Sequence, residues 1–192
     1  VIPVGRLLMK IYLAGPDVFL PGAVEIGRRK AEICAAHGMT GLYPLDNAIN
    51  LAAPDASRQI FGSNKAMMDE ASAIIANLTP FRGPGADAGT VYELGYMAGR
   101  GKLCLAYCND PMVYADRVAR FTEVAANDGR LADIHGLMVE DFGLVDNLMM
   151  IHGLELHGCP LVTPAEAPSE VWYDLAAFET CVRMAAARLV RI

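Results

Sequence analysis

The sequence predicts an α/β fold built on a parallel sheet, and three observations carry that expectation. Short apolar runs alternate with longer amphipathic stretches along the chain. The run Ala73–Leu78 is apolar on both faces, as a central parallel strand requires. The stretches between runs are long enough to hold crossover helices. The first strand is Lys10–Ala14, ended by Gly15-Pro16. A helix follows over residues 21–37, with Val24, Ile26, Ala31, Ile33 and Cys34 at helical spacing and Gly38 as its stop. Thr40–Tyr43 is a second strand, closed by Pro44, and a loop runs to about Ser57. Residues 56–71 form a helix with Ile60, Met67 and Met68 on its inner side. After the third strand, a glycine- and proline-rich loop over 79–89 opens a helix over 90–100. Lys102–Tyr107 is the fourth strand, and a short polar helix covers 111–121. The stretch 122–150 has no clear period; Asn127-Asp128-Gly129 and Asp141-Phe142-Gly143 read as turns. His157–Val162 allows a fifth strand. The last helix begins near Thr163-Pro164 or near Ser169 and runs to about Val190. Five strands in this order make a flavodoxin-like, doubly wound sheet with helices on both faces. Its site is expected outside the carboxyl ends of the strands, after Ala14, Tyr43 and Leu78.

The 192 residues are 54% hydrophobic and 20% charged, with a net charge of −6. That composition fits one folded domain over 10–192, preceded by a short extension over 1–9. An acidic chain without a basic cluster is a poor match to nucleic acid or an anionic membrane. No apolar segment is long enough to span a bilayer, and the first ten residues do not read as a signal peptide. Five cysteines at wide spacings, with no CxxC pair, read as reduced thiols in a cytoplasmic core. The four histidines form no HxH or HxxxH pair, and His152 and His157 read as structural or exposed. No metal site is expected. The chain has neither GxGxxG nor a P-loop Gly-Lys-Ser/Thr, so dinucleotide and nucleoside-triphosphate cofactors lose their usual support.

The loop entering the third helix is the most informative segment. Its glycines, Gly89 among them, let backbone approach a ligand closely. Asp87 at the helix entrance is a good N-cap by residue type alone. Glu93 lies inside the helix among Tyr92, Leu94, Gly95, Tyr96 and Met97. Such neighbours argue for a half-buried acid, a candidate nucleophile or general acid. Tyr12, taken alone, reads as a packed strand aromatic.

Together, Lys-Ile-Tyr-Leu-Ala-Gly-Pro (10–16), Tyr-Pro-Leu-Asp-Asn (43–47), Asp-Ala-Gly-Thr-Val-Tyr-Glu-Leu-Gly-Tyr (87–96) and Gly-Leu-Val-Asp-Asn-Leu-Met (143–149) resemble nucleoside 2-deoxyribosyltransferases. The resemblance spans about residues 10–160. It implies that Glu93 attacks C1′ of a 2′-deoxynucleoside, that the base leaves, and that a second base discharges the covalent intermediate with overall retention. It implies that Tyr12 orients the nucleophile and that Asp87 binds the sugar 5′-hydroxyl. Gly15 and Gly89 fall among the substrate-binding positions. Asn147, with Met149 beside it, is implied to reach a neighbouring subunit's site in a homo-oligomer. Partners would be deoxynucleosides and free nucleobases, with no cofactor.

Two positions depart from the family pattern. Asn64 stands where better-known members carry the aspartate that protonates the base; an amide hydrogen-bonds but supplies no proton. Asp69 is an alternative donor on the same helix. Ala48 stands where some members carry Gln. A related N-glycosidase of 2′-deoxynucleoside 5′-monophosphates carries Ser where this chain has Asp87, whose charge would repel a phosphate dianion. A hydrolase of deoxynucleosides remains open, because water can discharge the same intermediate. A binding module of similar fold would want an acidic cluster after the first strand, and Asp17 is alone there in sequence.

Overall fold

The computed structural model describes residues 9–46 and 49–189. Residues 1–8, Asn47, Ala48 and 190–192, with the expected helix end at Val190, lie outside the described residues; of the expected extension over 1–9 only Met9 is described, and it begins the first strand. Four parallel strands, β1 (Met9–Ala14), β2 (Met39–Leu42), β3 (Ala73–Asn77) and β4 (Leu103–Tyr107), pair in the order β2-β1-β3-β4. The register runs Tyr12 beside Leu42 on one side and Ile74 on the other, with Ile74 beside Cys104. All of β3 is buried, as its two apolar faces predict.

Helices α1 (Ala23–Ala36) and α6 (Ala176–Leu189) contribute to one core. It holds Ile11, Leu13, Cys34, Ile75, Tyr107, Phe178 and Val182. Helices α2 (Ala56–Glu70), α3 (Ala88–Gly99) and α5 (Leu148–Leu156) contribute to the other, with Tyr12, Ala14, Ile74, Met68, Leu94 and Leu154. Strand alternation makes this division: Ile11 and Leu13 go to the first core, Tyr12 and Ala14 to the second. Tyr12 therefore faces the layer that contains α3. Gly38, at φ +75°, ends α1 as expected. Lys102 donates to the carbonyls of Met68, Asp69 and Ala71, which completes the end of α2.

The expected fifth strand is reduced to a single parallel bridge. Val162 pairs beside Tyr107, accepting from the Cys108 amide and donating to the Ala106 carbonyl, each at 3.0 Å. Pro160 and Pro164 bracket Val162 and have no N–H to donate, so no ladder extends from it. The last helix begins at Ala176, not at 163 or 169. The Asn109 side-chain amide occupies the Val171 and Asp174 carbonyls, which holds that segment as a turn. Val24 is 76% exposed despite its apolar spacing, and Ile60 opens toward the cavity described below rather than inward.

The unreadable stretch 122–150 follows α4 (Tyr114–Phe121). It holds an antiparallel hairpin, β5 (Val124–Asn127) and β6 (Arg130–Asp133). Asp128 and Gly129 turn it with positive φ, the geometry of a tight hairpin turn. Helix α5 follows and has no counterpart in the sequence reading. On it, His152 pairs with Glu155 one turn later, and both are exposed. Among the described residues, no helix is long and apolar enough to cross a membrane.

Candidate active site

A cavity of about 500 Å³ opens at the carboxyl ends of β1 and β2 and against the entrance of α3. Gly15, Asn64, Asp87, Gly89 and Glu93 all line it. The segment after β1 contributes Val18 and Phe19; the segment after β2 contributes Pro44, Leu45, Ile49 and Leu51; α2 contributes Ile60 and Asn64. One wall is thus apolar, and the other carries carboxylates and an amide.

Tyr12 Oη donates to Glu93 Oε1 at 2.6 Å across the sheet–helix layer. Burial pushes the Glu93 carboxyl up to about 6. The nearby charge of Asp87 contributes to this rise, and hydrogen bonding with Tyr12 and Asn64 opposes it. Burial, reinforced by the negative Glu93, drives the Tyr12 hydroxyl well above its ordinary value, so it stays a proton donor. Asn64 Oδ1 is buried and has no hydrogen-bond partner among the described residues.

Asp87 is the N-cap of α3. Its Oδ2 accepts from the Thr90 amide at 2.9 Å and from the Thr90 hydroxyl at 3.0 Å. Oδ1 carries no hydrogen bond among the described residues and is open to a ligand. A Cβ at position 89 would stand 3.1 Å from Asp87 Oδ2, so Gly89 gives the carboxylate its room. At Gly15 a Cβ would stand 2.4 Å from Asp17 and 2.8 Å from Asn77. Only glycine fits between β1 and that pair.

Asp17 is not alone in space. It is buried, paired with the equally buried Lys30, and accepts from Asn77 Nδ2 at 2.9 Å. Asn77 Oδ1 accepts from the Thr79 amide, and Thr79 Oγ1 accepts from the Asn109 amide. This polar chain ties the ends of β1, β3 and β4 together beneath the cavity loops. Sequence reasoning missed Lys30, although it lies one turn from both Ile26 and Cys34 on the inward stripe of α1. At the cavity mouth Phe19 stacks on Phe81 with centroids 5.3 Å apart. Arg82 sits over both rings, and Trp172 meets Phe81 edge-on.

Four expected site residues do not line this cavity: Tyr12, buried behind Glu93, and Asp69, Asn147 and Met149. Asp69 is exposed on α2; hydrogen bonds from Lys65 (2.7 Å) and Tyr96 (2.5 Å) hold its carboxyl down at about 2. That environment gives a persistent carboxylate, not an acid. Asn147 caps α5, accepting from the Met149 amide and donating to Glu140 at 2.8 Å. Met149 is 74% exposed. Ala48 lies outside the described residues. Among the described residues, no group of His, Cys, Asp and Glu is arranged to hold a metal ion.

The nucleoside 2-deoxyribosyltransferase family profile matches residues 11–149, which include Tyr12, Asp87, Glu93 and Asn147. The chain belongs to that family. A 2-deoxyribosyltransferase from Leishmania mexicana is 31% identical, with a TM-score of 0.62 over 91% of this chain and 97% of that one. A conserved protein from Enterococcus faecalis, 21% identical over 82% of this chain and 92% of its own, shares the fold at a TM-score of 0.54. An uncharacterized protein of Schizosaccharomyces pombe is 34% identical over 155 residues, 72% of this chain and 74% of that protein. Membership implies a pentosyltransferase acting on nucleosides and nucleobases.

Proposed function

We propose that the protein moves 2-deoxyribose between nucleobases through a covalent deoxyribosyl–Glu93 intermediate, with retention at C1′. The observation that carries this reading is the 2.6 Å hydrogen bond from Tyr12 to a Glu93 carboxylate that also faces the cavity. One oxygen of Glu93 is fixed by Tyr12, which aims the other at bound substrate. Attack forms the C1′–Oε ester as the C1′–N bond breaks and the base departs with the bond electrons; the second base reverses these steps. Two inversions at C1′ give retention. The apolar wall of Val18, Phe19, Leu51 and Ile60 suits the flat face of a base. The unpartnered Asn64 Oδ1 offers an acceptor to a donor on the base edge.

Asp87 Oδ1 is the acceptor for the sugar 5′-hydroxyl, and its charge disfavours a 5′-phosphate. Asn147 and Met149 complete the site of a neighbouring subunit in a homo-oligomer; neither lines its own chain's cavity, and Met149 stands exposed, which favours this. Hydrolysis of 2′-deoxynucleosides or their 5′-monophosphates is the competing reading, since water can discharge the same intermediate in place of a base.

Deoxyinosine incubated with and without adenine or cytosine separates them. Transfer gives a new deoxynucleoside only with the second base. Equal hypoxanthine release without it would establish a hydrolase. With a slow 2-fluorinated deoxynucleoside, the adduct is expected on the peptide containing Glu93, and an adduct elsewhere would refute the assignment.

A further inference from the structure

Arg117 and Asp146 form a buried charge pair outside the cavity, each no more than 3% exposed. Its geometry is poor for stability. The closest approach is 3.6 Å, and three guanidinium nitrogens of Arg117 have no hydrogen bond among the described residues. A buried pair so incompletely satisfied is weak evidence for stabilisation. What the pair does show is a division of labour at the carboxylate. Asp146 Oδ2 accepts from the Ala86 amide at 3.1 Å, and Oδ1 accepts from the Asn147 amide at 2.8 Å. Ala86 immediately precedes Asp87, and Asn147 opens α5. Ala86 belongs to neither a helix nor a strand, so Asp146 stands in for the pairing its amide lacks.

The geometry points to Asp146 as a positioning residue: with Arg117 as its counter-charge, one oxygen sets the Asp87 loop of its own site and the other sets Asn147. A single carboxylate then fixes two recognition groups, one used within the chain and one offered to a neighbour. This rests on the reading of Asp87 as the 5′-hydroxyl acceptor. It adds the group that holds Asp87 at its place.

The readout is the ratio of kcat/KM for a 2′-deoxynucleoside to that for its 2′,5′-dideoxy counterpart. Asp87→Ala is expected to bring the ratio near one. Asp146→Asn keeps the shape but has only one acceptor oxygen for two amides, and the ratio is expected to fall about fivefold. A purely structural role would lower both substrates by one factor and leave the ratio unchanged, which would overturn the proposal. If Asp87→Ala keeps the full 5′-hydroxyl preference, the reading of Asp87 fails and the proposal falls with it. If Asp87→Ala erases the preference and Asp146→Asn retains it, the proposal alone falls. Should Asp146→Asn not fold, amide hydrogen exchange on the wild-type protein decides. Ala86 is expected to be protected despite lying in a loop, and exchange at the unprotected rate would overturn the assignment.

Discussion

Glu93 is asked to be two things at once, a buried group and an anion. Burial lifts its carboxyl from the ordinary 4.5 to about 6, equivalent to about 2 kcal/mol at neutral pH. The sign follows from linkage. A carboxyl with a raised folded-state value favours folding below about pH 4.5, and that contribution is lost as pH rises through about 6. Glu93→Gln is therefore expected to raise the melting temperature at pH 7 while abolishing transfer; an unchanged or lowered melting temperature would contradict the strain assigned to Glu93. The same value sets activity. Because the proposed nucleophile must be ionised, kcat/KM of the free enzyme should fall below about pH 6. Tyr12 holds the value down, so in Tyr12→Phe the acid limb should move to higher pH. A pH–rate profile of both proteins reads the shift directly.

At the scale of elements, Asp87 serves α3 as a cap and the cavity as a charge. Serine retains the cap and removes the charge. Asp87→Ser should keep the fold, weaken deoxynucleoside use and improve tolerance of the 5′-monophosphate; paired kinetics on the two substrates measure it. Most elements were legible because their residues obey local rules. β1, β3 and β4 are short apolar runs, and Gly38 and Asp87 mark helix ends. The illegible parts depend on distant partners. The segment 163–175 carries helix-starting residues, yet Asn109, just past the end of β4, takes its carbonyls. Asn147 caps α5 because Glu140 and Asp146 orient it, which no local pattern records. Around the cavity, Glu93 is the residue legible as chemistry from its apolar neighbours; Asp87 reads locally as a helix cap and Tyr12 as a packed strand aromatic, and only the family resemblance joins them to it. Ile60 was read as core, since periodicity cannot tell a buried face from a cavity wall. Lys30 was overlooked because the charge that neutralises it sits thirteen residues away.

At the scale of the molecule, the sheet order places the ends of β1 and β3 side by side, and the cavity opens beyond the β1 end. Asn147 and Met149 sit apart from it, so the proposed shared site requires a second copy. Consider a two-fold dimer in which Glu93 of one chain meets Asn147 of the other. Glu93→Ala and Asn147→Leu, prepared separately, are each expected to be inactive under this arrangement. In a mixed dimer one site carries both defects and the other neither. Random pairing of equal amounts makes about half the dimers mixed, so roughly a quarter of all sites should recover. Subunit exchange is verified with a tag on one partner. Activity that stays at the sum of the two mutants would show that Asn147 does not complete its neighbour's site.

The aromatic contact at the cavity mouth gives the protein a built-in optical probe. Trp172 is the sole tryptophan of the chain, and its ring meets the edge of Phe81, whose other neighbour, Phe19, forms part of the cavity wall. A base that packs on Phe19 displaces water from the stack and changes the polarity around the indole. Binding can then be followed by emission without label, coupling enzyme or turnover. Adenine added to the wild type should change the emission saturably, and Phe81→Leu, which breaks the relay between the two rings, should mute that change while adenine still binds by calorimetry.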